Sequence, residues 1–351
     1  MSVQPQITTT REWRVADPPA GFDALRLQEA SVGNLGATDV LIKVHAVSLQ
    51  FRDMLVANGQ YALGVKPSPV LGSDAAGEVV QVGPEVSKWK VGDRVAPNFN
   101  ITHIHGDLTP ETARGALGAP IDGVLTSYKV IPADALVKIP EHLSYEEAST
   151  LPCAAVTAYN ALLSGLHPLK GGDTVLVEGT GGVSIFALQF ALASGAVPIV
   201  ITSSPEKVEI VRKLGAEHVI NYKEVPDWEE EVLRITEGRG VDHVVEVSGT
   251  QTLGKAIKCT RYGGSINAVG FVTGVDPGPE TNVYILSLMK ALVLRGILVG
   301  SRTQFEDMNR LISARKIKPV VDKVFSFTEL VDALKYLESQ KHVGKVVVKV
   351  E

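Results

Sequence analysis

The residues best suited to chemistry lie in Val177-Glu178-Gly179-Thr180-Gly181-Gly182-Val183-Ser184, which follows a strand-like apolar run and opens a helical one. In that setting Gly179 permits a tight turn and Gly181 lets the backbone come close to a pyrophosphate. Thr180, Gly182 and Val183 complete the loop, and the free N–H groups and dipole of the helix start attract an anion. Ser184 stands at the third glycine position and is small enough for close helix–strand packing. The chemistry expected of this segment is dinucleotide binding.

The end of the next strand selects the dinucleotide. An NAD site usually has Asp or Glu about 20 residues beyond the loop, to hold the ribose 2′-hydroxyl. This chain has Ile201-Thr202-Ser203-Ser204-Pro205-Glu206-Lys207 there. The hydroxyls of Ser203 and Ser204 offer hydrogen bonds to a 2′-phosphate, Lys207 offers a counter-charge, and the strand ends without a carboxylate to repel it. Tyr222, after the third strand, can close the same pocket, so the cofactor expected is NADP(H). The alternative is a capped helix, with Ser204 as N-cap, Pro205 at N1 and Lys207 in solvent, and both can hold at once. Ser248 and Gly270, at the ends of the fourth and fifth strands, line the cofactor cleft by the rule for open α/β sheets.

Other reactive groups are sparse. Cys153 and Cys259 are the two cysteines, which excludes a disulfide framework and a four-thiolate metal site. His103 and His105 form an H-x-H pair in the 98–123 loop, with no third ligand evident nearby, so the pair reads as part of a loop shaping substrate access. The net charge of −5, with Lys and Arg scattered, argues against nucleic acid as partner. The 1–14 stretch is polar and lacks a signal-peptide core, and the longest apolar runs are strand-sized, so no membrane partner and a cytoplasmic location are expected.

The elements that must position these residues fall into two rhythms. Strands are expected at 40–47, 77–82, 94–96 and 125–130, punctuated by Gly and Pro, as in a partly closed antiparallel sheet or barrel. From a helix at 146–163 onward, strands and helices alternate. Strands fall at 174–178, 198–202, 218–222, 241–247, 265–269 and 293–299, with helices at 183–193, 205–214, 228–236 and 253–259. Short connections between them imply a parallel, doubly wound α/β sheet. A tail with helices at 308–314 and 329–338 and strands at 320–325 and 345–350 has no place in that sheet, so it returns to the first domain. The domains expected are 1–154 with 301–351, and 155–300.

Leu71-Gly72-Ser73-Asp74-Ala75-Ala76-Gly77-Glu78-Val79-Val80, Val91-Gly92-Asp93-Arg94-Val95, the 179–184 loop, the 214–222 stretch and Gly344-Lys345-Val346-Val347 together resemble the medium-chain dehydrogenase/reductase superfamily over nearly the whole chain. The likeness is greatest to the zinc-independent branch that includes alcohol dehydrogenase-like and quinone oxidoreductase-like proteins. It implies a GroES-like β-rich catalytic domain completed by the C-terminal tail, a Rossmann domain between the two pieces, and a small-molecule substrate in a cleft. It also implies a homodimer that pairs the last Rossmann strands, here near residues 291–300. The zinc enzymes of the superfamily place a Cys, a His-Glu pair and a further Cys or Asp around the metal, where this chain has Gln50, Ser73-Asp74 and Cys153. With those ligands and no four-cysteine lobe, neither zinc site is expected.

Without zinc, hydrogen-bond donors must polarise the hydride acceptor, and the candidates are residues 48–53 and 58–61. Relatives usually show Asn then Tyr where this chain has Gln50 and Phe51. Tyr61 matches a tyrosine that donates a proton in the related enoyl reductases, so Tyr61 and Gln50 are the catalytic candidates. Arg52-Asp53 reads as a structural pair. Thr157, four residues after the third ligand position, and Lys345 are carried over as cofactor contacts. The activity implied is NADP(H)-dependent reduction of an activated carbonyl compound at the C=C bond of an enone, quinone or enoyl thioester. Ketone–alcohol interconversion is the alternative within the family, and a non-catalytic NADPH-binding protein the alternative outside it.

Overall fold

The computed structural model describes residues 7–274 and 282–350, so the first six residues of the polar N-terminal stretch lie outside the described residues. The chain divides into two compact units, residues 1–153 with 300–351, and residues 154–299.

The first unit is built on the strand Asp39–Ser48, whose apolar residues Val40, Ile42, Val44 and Val47 are fully buried. Asp74–Val82 runs antiparallel along one side of it. Two strands share the other side: Tyr128–Pro132 pairs with residues 39–43, and Lys345–Lys349 with residues 46–48. Val321–Ser326 extends the sheet beyond Lys345–Lys349, while Arg94–Pro97 and Leu136–Lys138 extend it beyond Asp74–Val82. The C-terminal tail is thus an integral part of this seven-stranded sheet, and its helix Leu330–Glu338 buries Leu330, Ala333 and Leu334 in the same core as Val44 and Val79.

Sequence periodicity and structure part at several places in this unit. The expected strand at 125–130 shifts to Tyr128–Pro132, because residues 124–125 bond instead to the backbone of residues 71–72. The paired strands Thr9–Arg14 and Arg26–Ser31 went unread, since the second is largely polar and exposed and carries no alternating apolar signal. The helix expected at 146–163 is broken. Tyr145–Ala148 and Val156–Leu163 are separated by a wide turn at Leu151–Ala155, where Pro152 cannot donate a helical hydrogen bond.

The second unit is a six-stranded, wholly parallel sheet in the order His218–Asn221, Val197–Thr202, Thr174–Glu178, Val241–Glu246, Thr260–Ala268, Val293–Gly296. The first three strands run outward in one direction and the chain then crosses to the other side, so the order reverses between Thr174–Glu178 and Val241–Glu246. Open α/β sheets bind ligands at such a switch point. Leu176, Ile199, Val244 and Ile266 form its core with Trp228 and Ile257 from the covering helices. The helix Val283–Lys290 carried no strong sequence signal and leaves Tyr284, Leu288 and Met289 exposed.

Close strand packing in the first unit requires Gly77, because a Cβ there would fall 2.2 Å from the Lys43 carbonyl oxygen. Gly77→Ala should therefore cost about 1–3 kcal/mol of unfolding free energy, as overpacking does. Gly33→Ala, where a Cβ meets nothing within 4 Å, should stay within about 0.5 kcal/mol of the parent. Urea titration of both variants reads the difference.

Candidate active site

The 179–184 loop sits at the carboxyl end of Thr174–Glu178, beside the switch point. Gly179 has φ +73°, a left-handed conformation that favours glycine, and Gly181 is the N-cap of the helix Gly182–Ala193. A Cβ on Gly181 would meet no protein atom within 4 Å, so nothing in the protein's own packing fills the space before this helix start. Backbone N–H groups at a helix N-terminus, facing open space, fit a dinucleotide pyrophosphate. Thr180 is buried, and the Ser184 hydroxyl donates to the Glu178 carbonyl at 2.7 Å, locking the loop onto the strand.

Ser203 and Ser204 follow the adjacent strand Val197–Thr202 and are half-buried. Ser204 is the N-cap of Pro205–Lys213, its hydroxyl accepting from the Lys207 N–H at 3.3 Å. The capping geometry is therefore real, and it leaves the Lys207 side chain in the first turn of the helix. Tyr222 lies just past the strand His218–Asn221, its N–H bonded to the Thr202 carbonyl and its ring 40% exposed.

Ser248 and Gly270 end the other half of the same edge. A Cβ on Gly270 would lie 2.8 Å from the Val247 carbonyl oxygen, so the two strand ends approach closely only with glycine there. Between these ends and the dinucleotide loop lie two buried carboxyls the sequence reading did not single out. Glu246 Oε1 accepts from the N–H groups of Ser248 and Gly249 and from the Thr252 hydroxyl at 2.8 Å, and that hydroxyl lies 3.4 Å from Glu178 Oε2. Burial, then the neighbouring Glu246 carboxyl, pushes the Glu178 carboxyl well above the ordinary range. Each glutamate taken alone reads as a strand end; only the pairing of adjacent parallel strands brings them together.

The catalytic candidates of the first unit lie at the helix that carries Arg52 and on its guanidinium. Gln50 precedes the helix Phe51–Ala57, and its N–H donates to Asp53 Oδ2 at 2.8 Å. The Gln50 amide nitrogen Nε2 is buried without a hydrogen-bond partner. Arg52 lies between two rings, its guanidinium carbon 5.0 Å from the Tyr61 centroid and 4.7 Å from that of Phe99. Its Nη1 donates to the Leu117 carbonyl at 2.6 Å, and no hydrogen bond joins it to the adjacent Asp53 carboxylate. The expected structural pair Arg52-Asp53 is therefore not a hydrogen-bonded one.

The positions that bind zinc elsewhere in the superfamily are committed to one another. Asp74 Oδ1 accepts from the Cys153 N–H at 2.6 Å and Oδ2 from the Ser73 hydroxyl at 2.5 Å. Burial raises the Cys153 thiol far from the thiolate form that binds metals and raises the Asp74 carboxyl to about 7. The buried Lys345 ammonium donates to the Leu49 carbonyl, with Asp74, Cys153 and Asp53 as its electrostatic neighbours. A cation already stands in this cluster, and the donor set does not fit zinc. Among the described residues no group of three His, Cys, Asp or Glu side chains is placed to hold a metal ion. His103 is buried with Nε2 on the Gly106 carbonyl, whereas His105 is exposed, so the two imidazoles do not act as a pair.

Structure thus gathers Gly179, Thr180, Gly181, Gly182, Val183, Ser184, Ser203, Ser204, Tyr222, Ser248 and Gly270 along one sheet edge. In the other unit Tyr61 packs on Arg52, and Gln50 caps the helix that carries Arg52. Thr157 is buried in Val156–Leu163, and Lys345 serves the 49–53 segment of its own unit. No helix among the described residues is long and apolar enough to cross a membrane.

Two family profiles match the chain: the alcohol dehydrogenase GroES-like domain at residues 36–141 and zinc-binding dehydrogenase at residues 182–314. A zinc-type alcohol dehydrogenase-like protein of Schizosaccharomyces pombe is 46% identical over 340 residues, covering 96% of this chain and 98% of its own. An NAD-dependent alcohol dehydrogenase of Saccharolobus solfataricus is 32% identical, covering 92% of this chain and 96% of its own. Among solved structures, a 2-octenoyl-CoA carboxylase reductase from a complex with NADP and 2-octenoyl-CoA superposes with a TM-score of 0.85. It is 27% identical and covers 99% of this chain and 88% of its own.

The raised Glu178 carboxyl has a consequence for stability. The native state keeps a proton that the unfolded chain loses near 4.5, so this group's contribution is full below that range and is lost as pH rises through the raised value. In urea titrations from pH 5 to 9, the parent should lose stability relative to Glu178→Gln as pH rises. A difference independent of pH would show that Glu178 is not shifted.

Proposed function

The chain belongs to the medium-chain dehydrogenase/reductase superfamily, in its zinc-independent branch, and from that premise we propose that it is an NADP(H)-dependent reductase of activated carbonyl compounds. The bond reduced is the C=C of an enone, quinone or enoyl thioester. The observation that carries this reading is Gln50, whose buried, unpartnered amide N–H stands where the zinc enzymes have a metal-binding cysteine. A plain ketone gains most from a Lewis acid, whereas a conjugated carbonyl is activated by hydrogen-bond donors.

The bound nicotinamide supplies the hydride. The backbone N–H groups of residues 181–183 hold the pyrophosphate. Ser203, Ser204 and Lys207 hold the ribose 2′-phosphate, with Tyr222 against it, and Ser248, Gly270 and Thr157 line the cofactor's path. Gln50 turns its unpartnered amide N–H to the substrate carbonyl, and Tyr61 gives up its phenolic proton to the carbon beside it. Lys345 acts as a positioning residue, since its ammonium fixes the Leu49 carbonyl next to Gln50.

The chain also pairs with a second copy through the last Rossmann strand. Val293–Gly296 ends the sheet, and Leu294, Leu298, Tyr284 and Met289 leave an apolar surface beside that edge. An unpaired, apolar edge is the kind that a symmetric partner covers.

Fluorescence titration with NADPH and NADH tests the cofactor, and a panel of enones, quinones and ketones with product analysis tests the bond reduced. Tighter NADPH binding with enone reduction is expected, and Tyr61→Phe should cost about 10²-fold or more in kcat. Gly181→Ala should weaken NADPH binding while keeping unfolding free energy within about 1 kcal/mol of the parent. A preference for NADH would make Ser203, Ser204 and Lys207 a helix cap only, and NADPH binding without turnover across the panel would overturn the catalytic reading.

A further inference from the structure

Arg52 carries unused hydrogen-bond donors. Its side chain is 9% exposed, and its guanidinium lies between the rings of Tyr61 and Phe99. One of its three nitrogens is occupied, Nη1 donating to the Leu117 carbonyl at 2.6 Å. The other two, Nε and Nη2, are buried and have no hydrogen-bond partner. These two N–H groups form the side edge of the guanidinium, the edge that meets a carboxylate with two parallel hydrogen bonds. A guanidinium cannot shed its proton to escape burial, so an unpaired edge is costly unless an anion meets it.

The acids nearby do not meet this edge, although Asp53 is an electrostatic neighbour of Arg52. Asp53 is fully buried, its Oδ2 accepts from the Gln50 N–H at 2.8 Å, and its Oδ1 makes no hydrogen bond. Asp74 is held by the Cys153 N–H and the Ser73 hydroxyl, with the Lys345 ammonium as its electrostatic neighbour. Neither acid hydrogen-bonds to Arg52. The Tyr61 and Phe99 rings offer the guanidinium π faces but no hydrogen-bond acceptor, so the two N–H groups are left for a ligand.

We propose that the Nε–Nη2 edge of Arg52 binds a carboxylate on the substrate, so that the compound reduced carries a carboxylate in addition to its activated carbonyl. This rests on the reductase reading above and narrows it to one substrate class. A planar monoanion with two parallel acceptor oxygens matches the geometry of the two unpartnered N–H groups. A phosphate dianion would leave a surplus negative charge beside Asp53. Gln50, two residues away with its own unpartnered amide N–H, is left for the reacting carbonyl, so the two donors divide the substrate's oxygens between them.

The test uses the full chain and two matched pairs of probes. Levulinate is an unreactive oxo acid, and methyl levulinate differs from it only by the lost charge. Calorimetry should show levulinate binding at least about 10-fold tighter than its methyl ester, the worth of hydrogen bonds to a charged group. That preference should disappear in Arg52→Gln and in Arg52→Lys, which keeps the charge but not the side-on fork. Thermal melts establish that the variants are folded, and the comparison on the parent protein needs no variant. In turnover, the kcat/KM ratio of 4-oxopent-2-enoate to its methyl ester should fall at least about 10-fold in Arg52→Lys, on the same ground.

Equal binding of levulinate and its ester by the parent, an unchanged ratio in Arg52→Lys, or displacement of levulinate by inorganic phosphate at equal concentration would each overturn the assignment. If neither 4-oxopent-2-enoate nor its ester is reduced while levulinate binding depends on Arg52, the reductase reading fails and the carboxylate site stands. If both are reduced equally and levulinate binding ignores Arg52, the carboxylate site fails and the reductase reading stands.

Discussion

The first unit depends on the pairing of its last strand with its longest one. Val347, Val348 and Lys349 run antiparallel to Ser48, Val47 and Ala46, and the Leu49 N–H bonds to the Val346 carbonyl at 2.9 Å. That pairing joins the C-terminal strands to the sheet, buries Val346 and Val348 in the core and delivers the Lys345 ammonium to the Leu49 carbonyl across 296 residues of sequence. The segment that follows, from Gln50 to Asp53, therefore starts from a backbone fixed on both sides. Without the terminal strand, the helix start that carries Gln50 and Arg52 would lose the backbone partner of Leu49, and donors that wander cannot be aimed at one oxygen.

The two units manage buried charge in opposite ways. In the first, a buried ammonium stands among two carboxyls and a thiol, and a guanidinium is held between aromatic faces. In the second, two carboxyls share the sheet edge beside the dinucleotide loop, with burial and the neighbouring Glu246 carboxyl pushing Glu178 well above the ordinary range. The pair ties together the ends of the two strands that flank the switch point. Such an acid pair is stable only where a proton is shared or retained, since like charges at close range cannot both ionise in a dry site.

Much of the second unit was legible because its strands are buried on both faces and read as short apolar runs between helices of regular period. The loop 179–184 was legible for a related reason: glycines at a strand–helix junction have few other uses. In the first unit the signal was weaker. Arg26–Ser31 is a polar strand held by its partner Thr9–Arg14, and nothing in its own residue order announces it. The strand Tyr128–Pro132 lies a few residues from where alternation placed it, because register is set by the neighbouring strand as well as by local pattern. The helix read through residues 146–163 ignored what Pro152 does to a hydrogen-bond ladder.

The sequence by itself determined the Rossmann architecture, the position of the dinucleotide loop, the small polar residues at the end of its second strand and the poor zinc-ligand chemistry of Gln50 and Ser73. These follow from residue type and short-range order, where sterics and backbone hydrogen bonding act over a few residues. Only the tertiary structure decided that Arg52 stacks on Tyr61 and Phe99 instead of pairing with Asp53, that Lys345 serves Leu49, and that Glu178 and Glu246 meet. Each joins residues distant in sequence, or breaks a bond that sequence neighbours would be expected to make. The balance of burial and partners that decides such contacts exists only once the sheets have formed.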